Sequence, residues 1–267
     1  MASPSPRPIV LVPGACLGGW CWHEVAARLR STGHEVYPVT LTGLGERVHL
    51  ARPEVDLETH VADVVNLLEY EQLDDAVLVG HSYAGAVVTG VADRASEHLN
   101  AVVYLDTGPL ADGLAIVDLM PPEARERQRR ETAEHGDGWR WPVPDRDTLL
   151  SGAYGSASGL TDEHLAWIAQ RGTPQPYATF TTPLRLRAAR PPDVRRVAIL
   201  ASAGGMDLAT ARTLIAAGDP RLASFAAADW ALHELPTGHW AMFSSPEPLS
   251  ELLDAIAAGS GGGAERR

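Results

Sequence analysis

The sequence has little cysteine, no long hydrophobic run and no excess of positive charge. Its only two cysteines, Cys16 and Cys21, lie five residues apart, which matches neither a zinc motif nor a disulfide framework, so we expect buried thiols. No apolar stretch approaches the roughly 20 residues of a membrane span. The net charge of −12 argues against nucleic acid and against a membrane surface as partners. These absences predict a globular cytoplasmic protein.

What the chain does contain is a regular alternation of short apolar runs and helical patterns. At 267 residues it is long enough for one large α/β domain. Strands are predicted at residues 9–12, 34–39, 76–79, 101–106, 196–202 and 230–235. Continuous apolar runs separated by helices predict an α/β fold with a mostly parallel, doubly wound sheet. Ligands of such sheets bind outside the carboxyl ends of the strands.

Residues 108–192 depart from this pattern, because prolines and aromatic residues cluster there and no strand-length apolar run appears. We predict a mainly helical lid, inserted into a core formed by residues 1–107 and 193–258, with a flexible tail at 259–267. Within the lid, Glu alternates with Arg over residues 121–135, which is typical of a solvated helix. The aromatic residues of the lid either form its own small core or the wall of an apolar pocket.

Ser82 stands where a predicted strand meets a predicted helix. Four strand-type residues lead into Gly80-His81-Ser82, and small residues with helical spacing follow. Such a sharp turn requires small neighbours, and the helix N-terminus offers a free N–H and a partial positive charge to a developing anion. The pattern matches the nucleophile elbow of α/β-hydrolases, although Ala84 stands where the usual signature has glycine.

A serine hydroxyl becomes nucleophilic when a base takes its proton, and histidine suits that task. Of the ten histidines, His239 follows the last predicted strand directly behind Gly238, far downstream of Ser82. This position agrees with the order serine, acid, histidine along the chain. His81, inside the elbow, is expected to be a structural residue that points away from the site.

Four segments carry a more specific resemblance: 10–22, 42–47, 80–83 and 238–239. They resemble the α/β-hydrolase branch that holds plant methyl esterases, hydroxynitrile lyases and bacterial carboxylesterases of the pyrethroid-hydrolase type. The resemblance implies an α/β-hydrolase fold, an oxyanion hole made by the backbone N–H groups of Ala15 and Tyr83, and neither cofactor nor metal. It also implies an acid shortly after the strand at 196–202, where Asp207 is the first carboxylate. Asp106, at the end of the strand after the elbow, is the alternative acid.

The chain also departs from that branch. Pro13 stands where the branch usually has histidine, and Gly14 stands where the hydroxynitrile lyases have threonine. Trp240 occupies the position of the lysine that handles cyanide in those lyases. Cyanohydrin cleavage is therefore not expected.

Together these residues predict a serine hydrolase that cleaves a carboxylic ester or lactone of an apolar small molecule. Ser82 attacks, His239 acts as base and then acid, and Asp207 orients His239. Candidate pocket residues are Cys16, Leu17, Trp139, Trp141, Tyr154, Trp167 and Trp240. Two alternatives stay open: a lyase or cyclase that uses His239 as general base on a polyketide-like natural product, and a non-catalytic ligand-binding protein. The oligomeric state is also open, with a homodimer as one alternative.

Overall fold

The computed structural model describes residues 6–187, 193–227 and 229–259. Residues 188–192, at the end of the predicted lid, lie outside the described residues, as does the predicted tail beyond Gly259. The division into core and lid stays a prediction.

A six-stranded parallel sheet forms the centre of the molecule, as predicted. In chain order the strands are β1 (Ile9–Val12), β2 (Val36–Pro38), β3 (Ala76–His81), β4 (Leu99–Leu105), β5 (Arg140–Trp141), β6 (Gln175–Pro176), β7 (Arg195–Ala201) and β8 (Trp230–Leu235). The order across the sheet is β2-β1-β3-β4-β7-β8, and all neighbours pair in parallel. The carboxyl ends of β3, β4 and β8 therefore meet at one edge, which brings together the residues that follow them.

Helices cover both faces of this sheet. They are α1 (His23–Ser31), α2 (Leu57–Tyr70), α3 (Ala84–Arg94), α4 (Pro122–His135), α5 (Arg146–Leu150), α6 (Asp162–Arg171), α7 (Ala178–Thr181), α8 (Leu208–Ala216), α9 (Ala241–Ser244) and α10 (Pro246–Ala257). Alternate residues of a strand point to opposite faces. In β1, Val10 and Val12 pack in the hydrophobic cluster that contains α2 and α3, whereas Ile9 and Leu11 pack in the cluster that contains α1 and α10.

The segment between β4 and β7 contains the helices α4 to α7 and an antiparallel ribbon formed by β5 and β6. Two-residue strands carry no readable periodicity, which is why this ribbon was not predicted. Helix α4 occupies the charged stretch for which a solvated helix was predicted, yet Gln128 and Thr132 on it are buried. One face of this charged helix is thus turned inward.

The two cysteines are buried and free of any disulfide. Burial raises the pKa of the Cys16 thiol to about 12, because a thiolate is poorly stabilised away from water. Among the described residues, no helix has both the length and the apolar character needed to cross a bilayer.

Candidate active site

The turn between β3 and α3 presents Ser82 in a constrained conformation. All six residues of β3 are buried, and Ser82 follows them with φ +52°, in the left-handed region that few residues other than glycine adopt. A Cβ at Gly80 would lie 2.8 Å from the carbonyl oxygen of Ala84, and one at Gly85 would lie 2.7 Å from that of Gly108. The position at which neighbouring backbone leaves no room for a side chain is 85. Alanine can therefore stand at position 84, where the usual signature has glycine.

Asp106 and His239 meet at the same edge of the sheet. The loop after β8 carries His239, and its Nδ1 lies 2.6 Å from Oδ2 of Asp106. Asp106 directly follows β4 with φ +49°. Its N–H donates to the carbonyl oxygen of Ile199 at 2.8 Å, and its Oδ1 accepts the N–H of Ala201 at 3.2 Å. Two bonds to β7 therefore hold the carboxylate in place for the histidine.

The prediction that Asp207 orients His239 is wrong for this chain. The chain after β7 turns at once into a 3-10 helix, Ser202–Gly204, and Asp207 becomes the exposed N-cap of α8. Its Oδ1 accepts the N–H of Thr210 at 2.7 Å, and this bond lowers the pKa of the Asp207 carboxyl. The alternative acid, Asp106, takes the place beside His239.

A part of the segment between β4 and β7 holds the backbone of the loop that carries His239. The N–H of His239 donates to the carbonyl oxygen of Ser156 at 2.8 Å, and the N–H of Gly238 donates to that of Ser158 at 3.2 Å. Gly155, with φ +111°, lies so close that a Cβ there would be 2.6 Å from the Cβ of His239. These contacts link segments about 80 residues apart, and no local sequence signal indicates them.

His81 contacts the candidate base, which corrects the expectation that it points away from the site. Its ring centroid lies 4.6 Å from that of His239, and its Nε2–H donates to the backbone carbonyl oxygen of His239 at 2.8 Å. This bond leaves Nδ1 as the acceptor nitrogen, and Nδ1 is buried without a partner among the described residues. Burial, with a smaller contribution from His239, holds the pKa of His81 well below its usual value.

The loop that carries Ala15 is held by the β6 residue Gln175. Cys16, with φ +62°, donates its N–H to Oε1 of Gln175 at 2.8 Å, and its carbonyl oxygen accepts the N–H of Thr173 at 3.0 Å. Within the described part of the chain, the N–H groups of Ala15 and Tyr83 donate to no other protein group. Both residues line the same cavity as Ser82.

A buried network holds the side chain of Tyr83. Its hydroxyl lies 2.8 Å from Nδ1 of the fully buried His60, whose Nε2–H donates to the carbonyl oxygen of Thr42 at 2.9 Å. Because the Thr42 oxygen only accepts, Nδ1 of His60 accepts from the tyrosine. Burial lowers the pKa of His60, which keeps the ring neutral. His60 lies within a helical pattern, and no local motif distinguishes it from a surface histidine.

Ser82 and His239 line a common cavity of about 200 Å³. Of the predicted pocket residues, it is lined by Cys16, Leu17, Trp141, Tyr154 and Trp240. The prediction is wrong for the other two. Trp167 is 42% exposed on α6, and Trp139 packs against the guanidinium of Arg140 at 5.0 Å. The remaining lining includes Ile116, Met120, Gln128, Val143, Ile168 and Phe180, none of which was predicted.

A second cavity, of about 190 Å³, also reaches Ser82 and Tyr83. It includes Asp106 and is otherwise lined mainly by small and apolar residues such as Leu110 and Ile116. Two spaces therefore meet at the serine. In the described parts of the chain, no group of His, Cys, Asp and Glu side chains is arranged to hold a metal ion.

Comparisons with known proteins show which proteins this chain resembles. The model of the alpha/beta hydrolase family matches residues 9–252. The chain is 36% identical over 248 residues to the carbendazim hydrolyzing esterase of Nocardioides sp. (strain SG-4G), covering 92% of this chain and 98% of that protein. It is 31% identical over 97 residues to methylesterase 8 of Arabidopsis thaliana, covering 36% of each.

A solved structure extends the comparison to the fold. The extracellular alpha/beta-hydrolase from a Paenibacillus species superimposes with a TM-score of 0.73, over 94% of this chain and 99% of that one. At 20% identity this likeness shows the fold alone.

Proposed function

The chain belongs to the alpha/beta hydrolase family, in the branch that its sequence resembles, and from this premise we propose that it hydrolyses a carboxylic ester through an acyl-enzyme on Ser82. The contact between Asp106 and His239 carries the proposal. A carboxylate on Nδ1 holds the proton there and leaves Nε2 free to act as the base. The proposed mechanism requires a base that is oriented in this way.

In the proposed mechanism, Ser82 Oγ attacks the ester carbonyl carbon while His239 Nε2 takes the hydroxyl proton. The carbonyl oxygen becomes an oxyanion that accepts hydrogen bonds from the N–H groups of Ala15 and Tyr83. Each such donor typically contributes about 2.7–4 kcal/mol to transition-state binding. The imidazolium then protonates the departing alcohol oxygen, and an acyl ester of Ser82 remains.

The second half of the reaction repeats these roles with water. His239 takes a proton from the water as its oxygen attacks the acyl carbon, and returns that proton to Ser82 Oγ as the carboxylic acid leaves. Asp106 stays ionised throughout and stabilises the imidazolium. No cofactor or metal is required by these steps.

The two cavities that meet at Ser82 support a small substrate with an apolar part on each side of the ester. In this proposal one cavity receives the acyl group and the other the alcohol. The name of the Nocardioides relative, an esterase, supports the same bond type.

The proposal is tested with p-nitrophenyl butyrate and a fluorophosphonate probe. We expect the enzyme to release p-nitrophenol and to gain one phosphonyl adduct on Ser82 by mass spectrometry. Ser82→Ala should lose the adduct and at least about 10⁴-fold of kcat/KM. Ser31→Ala, at an exposed position on α1, is the matched control and should keep both. Release of p-nitrophenol that survives in Ser82→Ala but is lost in His239→Ala would show that no acyl-enzyme on Ser82 is formed and would refute this proposal.

A further inference from the structure

Gln128 is a buried polar side chain of the cavity that Ser82 and His239 line, and it has no role in the proposed mechanism. Gln128, in the middle of α4, is only 1% exposed and lines the cavity together with Ser82 and His239. Both polar atoms of its side chain, Nε2 and Oε1, are buried without a hydrogen-bond partner among the described residues. The residue stands out from its helix, whose other face is strongly charged and exposed.

An unpaired buried amide opposes folding, because it gives up its hydrogen bonds to water without replacing them. A leucine or methionine at position 128 would fill the same space without this cost and would suit a helix equally well. The other cavity residues from the segment between β4 and β7 are apolar or aromatic: Ile116, Met120, Trp141, Val143, Pro144, Leu149, Tyr154, Ile168 and Phe180. Gln128 is therefore the one carboxamide on this wall, where the only other side-chain polar atom buried without a partner among the described residues is the hydroxyl of Tyr154.

A carboxamide presents an N–H donor and a C=O acceptor side by side on one edge. The ligand group that satisfies both at once carries an acceptor next to a donor on one edge, as lactams and amino-substituted nitrogen heterocycles do. The aromatic walls favour a flat group of this kind, because the Trp141 ring lies 5.1 Å from that of Tyr154 and 5.4 Å from that of Phe180.

We infer that Gln128 determines substrate specificity by pairing with a lactam-type donor–acceptor edge on a planar ring of the ester. This inference names the substrate class for the site of the proposed function and rests on that function for its link to catalysis. Gln128 is a recognition residue here and takes no part in proton transfer.

The inference is tested by isothermal titration calorimetry with 2-quinolone and 1-methyl-2-quinolone, which need no turnover. The first ligand has the N–H and C=O on one edge, and the second keeps the carbonyl but has no N–H. We expect the enzyme to bind 2-quinolone at least about tenfold more tightly than its N-methyl analogue, since a buried unpaired group typically costs that much or more. Binding should also slow fluorophosphonate labelling of Ser82.

Gln128→Met removes the amide at nearly constant volume. In this variant the ratio of the Kd for 1-methyl-2-quinolone to the Kd for 2-quinolone should fall to about one. Gln170→Met, at an exposed position on α6, is the matched control and should keep the preference of the unaltered enzyme. A steric effect of the N-methyl group alone would persist in Gln128→Met and would overturn the inference. Failure of 2-quinolone to bind would overturn it as well.

Thermal melting confirms that each variant is folded before its Kd is compared. The outcomes also separate the two proposals. If the enzyme hydrolyses the ester but does not prefer 2-quinolone, only the proposed recognition role of Gln128 is refuted. If the preference depends on Gln128 but neither ester turnover nor Ser82 labelling is seen, the proposed hydrolase function is refuted and the recognition site at Gln128 is supported.

Discussion

Replacement of Asp106 by asparagine is expected to abolish most of the ester hydrolysis without unfolding the protein. Asp106 Oδ1 accepts the N–H of Ala201, and Oδ2 contacts Nδ1 of His239. In Asp106→Asn the amide oxygen must stay on Ala201, because an NH₂ group there would oppose the Ala201 N–H. The NH₂ group then faces His239.

That orientation imposes the wrong tautomer on His239. An N–H donor from residue 106 requires Nδ1 to accept, so the ring proton moves to Nε2 and the base is lost. In a serine enzyme with the same arrangement of groups this exchange lowers kcat by about 10⁴-fold. At 1.36 kcal/mol per tenfold change, we expect a loss of roughly 5.4 kcal/mol in transition-state stabilisation.

Asp207→Asn is the matched comparison, since Asp207 is the acid that the resemblance to relatives suggested. Its side chain caps α8, and asparagine caps helices as well as aspartate does. We expect kcat/KM for p-nitrophenyl butyrate within about twofold of the unaltered enzyme and an unchanged melting temperature. A large loss in Asp207→Asn together with nearly full activity in Asp106→Asn would refute this reasoning.

Three further predictions follow from buried contacts. Gln175→Met leaves the N–H of Cys16 unpaired beside Ala15, so we expect kcat/KM for p-nitrophenyl butyrate to fall about 10–100-fold, mainly through kcat, at a modest cost in melting temperature. Gly80→Ala places a Cβ against backbone and should lower the free energy of unfolding by about 1–3 kcal/mol, measured by urea denaturation. Because burial lowers the pKa of His60, the unfolded chain binds its proton first as the pH falls below about 6.5, and stability then decreases. We expect His60→Asn to reduce this pH-dependent loss of unfolding free energy by up to about 1.4 kcal/mol per pH unit, measured by urea denaturation between pH 7 and 5. The same loss per pH unit in the variant and the unaltered protein would contradict a buried, neutral His60.

The sequence alone was enough to predict the sheet and its edge. Apolar runs of strand length are local signals, and the predicted strands agree closely with β1, β3, β4, β7 and β8. The elbow at Ser82 is also local, because its conformation depends on small residues within a few positions of the serine. Once the strands are parallel, their carboxyl ends lie together, so the neighbourhood of Ser82, Asp106 and His239 follows from the order of elements.

The tertiary structure alone decided which carboxylate reaches His239, because that depends on a loop path. Two hydrogen bonds between Asp106 and β7, together with the early turn after β7, place Asp106 at the His239 ring and leave Asp207 on α8. The position of an aspartate along the chain does not determine whether its carboxylate comes within hydrogen-bond distance of His239. The resemblance therefore favoured Asp207, the wrong acid, and Asp106 was only the alternative.

Burial within the segment between β4 and β7 was likewise decided by tertiary contacts. Gln128 lies in a charged stretch whose composition is typical of a solvated helix, yet packing turns that position into the cavity. Gln175 reaches Cys16 across 159 residues. Local patterns determine which element a residue joins, whereas the face that an element buries is set by long-range packing, which residue composition does not encode.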